Sequence, residues 1–86
     1  MESIKEISKT IKSIESVKEI QNFLLEILTE SEVETLSKRW CILKMLEQGK
    51  TQRDIAKALN VSLCKVTRGS KILKDKNSVI RKYIKI

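Results

Sequence analysis

Between Ile4 and Ile20 the apolar residues Ile4, Ile7, Ile11, Ile14, Val17 and Ile20 recur at intervals of three and four, with Glu and Lys filling the gaps. That spacing places them on one face of a helix. Ser16 and Glu19 have capping-box spacing, so a break is expected around Ser13–Ser16 and two helices rather than one. The second runs through VKEIQNFLLEIL to Leu28, with a wide apolar face of Phe23, Leu24, Ile27 and Leu28. Thr29 and Glu32 form another box and start a third helix. Its stripe is Val33, Leu36, Trp40, Leu43 and Leu46, and Gly49 offers a natural stop. Trp40, on an apolar face, is expected in the core. Faces this wide exceed what a short chain can cover by itself. A homodimer that pools them is the expectation, with a compact monomeric bundle as the alternative.

The pattern changes at Thr51. Thr51 and Asp54 have N-cap spacing, and QRDIAKAL follows as a short helix. Asn60 interrupts, and Asn is one of the few residues besides Gly that accepts a left-handed backbone. Ser62 then caps a further helix from Leu63 to about Lys74. Counted from Gln52, the apolar or small residues Ile55, Ala56, Leu59, Val61 and Val66 stand where a helix-turn-helix needs its inter-helix core. Ala56 is small where the second helix crosses. The outward positions of that helix are Cys64, Lys65, Thr67, Arg68 and Lys71, able to face a major groove. The tail NSVIRKYIKI predicts a final short helix. Ile80, Tyr83, Ile84 and Ile86 would pack back, with Arg81, Lys82 and Lys85 in solvent or near phosphate. The organisation expected is a helical dimerisation region over 1–50, a helix-turn-helix over 51–74 and a C-terminal helix over 75–86, all in one domain.

Charge sharpens this picture. Residues 1–50 carry 8 basic and 9 acidic groups, net −1, whereas residues 51–86 carry 10 and 2, net +8. A neutral half joined to a strongly positive one suggests a surface for a polyanion. Composition fits an all-helical chain, with no proline, two glycines and three aromatic residues, Phe23, Trp40 and Tyr83. No apolar run reaches the ~20 residues of a membrane span. MESIKEISKTIKSI lacks the pattern of a signal peptide, so a cytoplasmic protein is expected. Cys41 and Cys64, with no His in the chain, are too few for a metal site and are read as ordinary reduced thiols. Neither thiol has a base partner and no acids are evidently paired, so no enzyme and no catalytic residues are expected.

LTESEVETLSKRW, TQRDIA and VTRGSKILK together resemble the tryptophan repressor family, over about residues 22–75. The resemblance implies an all-α, intertwined homodimer whose two helix-turn-helix units face successive major grooves of a palindromic DNA operator. It implies L-tryptophan, or a similar small molecule, as corepressor, and no other cofactor. By residue-to-residue match it assigns DNA contacts to Gln52, Arg53, Leu63, Cys64, Lys65, Thr67 and Lys74, and the helical spacing adds Lys71. It assigns ligand contacts to Arg39 and Arg68, which would sandwich an indole, to Leu28 and Thr29 from the partner subunit, and to Gly69, which would let the ligand approach. Gly69→Val is accordingly expected to remove a ligand response and leave the dimer intact. Ile72 stands at a ligand position where the family has a small Ser, Glu26 where it has an apolar residue, and Ala56 where it has a Lys that contacts DNA. Two other readings stay open. One is a helix-turn-helix DNA-binding protein without a ligand, and the other a basic helical protein that binds RNA or a protein partner.

Overall fold

The computed structural model describes residues 1–84. It is all-helical, with α1 (Glu2–Ser13), α2 (Val17–Ile27), α3 (Glu30–Glu47), α4 (Gln52–Leu59), α5 (Leu63–Lys74) and α6 (Val79–Tyr83). Among the described residues no helix is long and apolar enough to cross a membrane. The chain divides into two compact units, Met1–Val33 and the residues from Glu34 onward. The division falls inside α3, upstream of the boundary at residue 50 that the sequence suggests.

Hydrogen bonds from short polar side chains set the helix starts. Ser16 Oγ accepts from the Glu19 amide at 3.3 Å and opens α2. At α3 the box is reciprocal. Thr29 Oγ1 accepts from the Glu32 amide at 3.1 Å, and the Thr29 amide donates to Glu32 Oε1 at 2.9 Å. Two amides that the helix itself cannot satisfy are thereby satisfied. Thr51, Ser62 and Ser78 repeat the one-sided form at α4, α5 and α6. The end of α2 comes one residue before the expected one. Leu28 is extended there, with ψ at 145°.

In the unit Met1–Val33 the apolar faces are present but little covered. No residue of α1 or α2 is buried. Val17 is 82% exposed, and Ile4, Leu25 and Ile27 are more than half exposed.

The unit from Glu34 onward has a core, built by three helices. Ile55 of α4 and Val66 of α5 are fully buried and pack with Ile42 of α3. Met45, Leu46, Ala56, Leu59 and Val61 close around them. Each fully buried Ile or Val is worth about 1.5–3 kcal/mol. Two left-handed residues turn the chain around this core. Gly49 has φ +87° and ends α3, the Lys50 amide donating to the Met45 carbonyl and the Gly49 amide to that of Leu46. Asn60 has φ 53° and ψ 51° and ends α4 in the same manner, the Val61 amide donating to the Ala56 carbonyl. Behind α5 lies α6, and Ile84 just after it is buried. Tyr83 does not pack back as expected but is 70% exposed, its ring under Lys82 Nζ at 5.3 Å. Lys85 and Ile86 lie outside the described residues.

The stripe expected along α3 is only partly the buried one. Leu43 is buried, but so is Ile42, one residue off the stripe. Trp40 is not in the core of this chain. It is 48% exposed, as is Leu36. α3 is apolar on more than one side, and the side facing α4 and α5 begins at Ile42.

Candidate nucleic-acid interface

The helix-turn-helix presents a face whose outer positions are set by its inner ones. Ile55 and Val66 fix α4 against α5, and the turn at Asn60 fixes the angle. Leu63, Cys64 and Lys65 in the first turn of α5 are then exposed, as are Arg68, Lys71 and Lys74 further along. Arg53 is exposed at the second position of α4, and Gln52 is half-buried at the first. Thr67 differs from its sequence-based reading. It is half-buried rather than fully outward, and its hydroxyl donates to Gln52 Oε1 at 2.9 Å.

An open groove runs along α5, lined by Leu63, Cys64, Thr67, Arg68, Lys71 and Ile72. It unites residues that the sequence divides between DNA and ligand. Among the described residues the ion pair is Lys38–Glu34, an exposed contact of 3.5 Å within α3. The cations of α4 and α5 thus have no carboxylate partner there, and their field is open to an anionic ligand. The same residues contain no cluster of His, Cys, Asp and Glu able to hold a metal ion.

The ligand residues are less gathered. Arg68 and Ile72 share the groove, whereas Arg39 is exposed on α3 and does not line it. Leu28 and Thr29 belong to the unit Met1–Val33, where Thr29 is engaged in the capping box. Gly69 is buried on the side of α5 that faces α3. A Cβ added to it would lie 2.9 Å from Ile42 Cγ2 and 3.3 Å from Leu46 Cδ1. Its smallness is needed for α3 to approach α5. A valine there would press on Ile42 and Leu46, so Gly69→Val strains the seam between α3 and α5 whatever its effect on a ligand or on the dimer. Sequence reasoning missed Ile42 as the residue that demands this glycine, and missed the tie between Thr67 and Gln52. Neither has a local signal, because each pairs residues on different helices.

Over residues 2–85 the sequence matches the family described as Trp repressor protein. The chain belongs to that family. Comparisons with curated proteins and with solved structures gave no match. The Trp repressor family is one of regulatory DNA-binding proteins, not enzymes, and it marks this chain as a DNA-binding transcriptional repressor. Its all-helical fold is the fold found here.

Proposed function

We propose that this protein works in the cytoplasm as a homodimer that reads a palindromic operator by placing the start of α5 in the major groove. The observation that carries the proposal is the outward face of the helix-turn-helix. Lys65, Arg68 and Lys71 are exposed and without carboxylate partners among the described residues, on a helix held rigidly by Ile55 and Val66. In this reading Leu63, Cys64 and Lys65 approach base edges, Arg53 a guanine edge, and Gln52, Lys71 and Lys74 the phosphates, with Thr67 joined to the interface through its bond to Gln52. The exposed apolar residues Leu25, Ile27, Leu36 and Trp40 support the dimer, because two copies that pool such faces remove them from water.

A small corepressor of the L-tryptophan class sets the two reading heads. Arg39 and Arg68 receive the ligand, Leu28 and Thr29 close the pocket from across the dimer, and Gly69 and Ile72 lie on the helix behind it. Family membership and the exposure of both arginines support this. A second reading, DNA binding without any ligand, is favoured by Ile72. Its apolar side chain lines the groove beside Arg68 and offers no hydroxyl to a polar ligand.

The test is fluorescence anisotropy with a palindromic duplex selected from a random pool, an unrelated duplex and a structured RNA, across a salt series. Tighter binding of the selected duplex at every salt concentration is expected. Equal affinity for all three overturns the operator reading. Calorimetry with L-tryptophan up to millimolar concentration decides between the two readings, and absence of heat removes the corepressor.

A further inference from the structure

The hydrogen bond between Thr67 and Gln52 links the start of α4 to the second turn of α5, two elements that otherwise meet through apolar side chains. We infer that Thr67 is a positioning residue: its hydroxyl holds the Gln52 side-chain oxygen, so that the Gln52 amide turns its N–H donors outward to a DNA phosphate. The inference rests on the DNA-binding reading above and specifies how one contact in it is made.

The argument begins with the chemistry of the carboxamide, which has one acceptor end and one donor end. Thr67 Oγ1 donates to Oε1 at 2.9 Å, which occupies the acceptor end. Nε2 has no partner among the described residues. No buried side-chain nitrogen or oxygen there lacks a partner, so Nε2 is open to solvent. With its oxygen turned toward Thr67, the carboxamide presents its N–H end to solvent. Its outward partner must be an acceptor.

Position makes that acceptor a phosphate. Gln52 is the first residue of α4, and Thr51 caps the Asp54 amide, leaving the Gln52 and Arg53 amides without partners among the described residues. Nε2 and these two amides belong to consecutive residues at the start of α4, a set of donors suited to one anionic group. Without Thr67 the carboxamide is free to rotate and bring Oε1 toward the phosphate, where two acceptors repel.

A double-mutant cycle on the selected duplex tests this, with Thr67→Val and Gln52→Ala singly and together. Thr67→Val should weaken binding roughly threefold to tenfold, the worth of one ordinary hydrogen bond, and Thr67→Ser should restore it. In the Gln52→Ala background the loss caused by Thr67→Val should vanish. A loss that persists there means Thr67 touches DNA directly and overturns the inference, as does an unweakened Thr67→Val. Gln52→Glu, which leaves Thr67 intact, keeps an acceptor for the hydroxyl but turns an oxygen outward. It should bind more weakly than Gln52→Ala, and equal or tighter binding overturns the donor-out orientation. Because a phosphate carries no sequence, the losses should be equal on the unrelated duplex. Losses confined to the selected duplex would put the contact on a base edge and overturn the phosphate assignment. If the wild-type protein binds no duplex, the DNA reading itself fails. If it binds and the cycle shows no coupling, only this inference fails.

Discussion

Gly69 bears the tightest steric constraint on α5. Glycine inside a helix ordinarily costs about 1 kcal/mol against alanine, so its presence needs a compensating reason. The reason is the 2.9 Å that would separate an added Cβ from Ile42 Cγ2. Gly69→Val should destabilise the fold by about 1–3 kcal/mol through overpacking, measured as a lower urea midpoint at fixed protein concentration. An unchanged midpoint would mean that α3 yields without cost. Arg53 stands at the opposite extreme, exposed and without an ion pair among the described residues. Its removal should leave the urea midpoint where it is. Arg53→Ala should instead cost about 1–3 kcal/mol on the selected duplex and narrow its margin over the unrelated one. Equal losses on both would move Arg53 from a base edge to the backbone.

The helices show what the sequence reveals and what it hides. Starts and stops were legible because they depend on neighbours in the chain. The box at Thr29 and Glu32, the caps at Thr51 and Ser62 and the left-handed Asn60 all lie where local chemistry puts them. Thr29→Ala should cost about 1 kcal/mol of stability, in the range of other lost caps, and a thermal melt reads it. The sides of the helices were less legible. The apolar stripe of α3 was visible, yet periodicity cannot say which neighbour covers which part of it. Leu43 and Ile42 turn to α4 and α5, whereas Leu36 and Trp40 stay half exposed. The candidate site divides along the same line. Exposed cations on α5 follow from helical spacing, but the hydrogen bond of Thr67 and the glycine at position 69 answer to residues far away in sequence.

For the whole molecule, the uneven charge and the uncovered apolar faces lead to separate expectations. A basic half of net +8 should bind duplex DNA with a strong salt dependence. Lys74→Ala should weaken all duplexes alike and reduce the slope of affinity against salt by about one counterion. A loss confined to one sequence would contradict a phosphate role. The apolar faces concern assembly. Trp40, the single tryptophan, is 48% exposed in one chain and should become buried in a dimer. Dilution below the dimer's dissociation constant should then shift its fluorescence to longer wavelength, and Trp40→Lys should sediment at the mass of one subunit. A wild-type protein that already sediments as one subunit refutes the dimer. The seam at Gly69 also bears on control. With Ile42 this close to the backbone of α5, rolling or sliding the reading helix presses it into that side chain, and packed interiors resist such gradual deformation. A signal that swings α5 together with the second half of α3 avoids the clash, like a blade fixed to its handle.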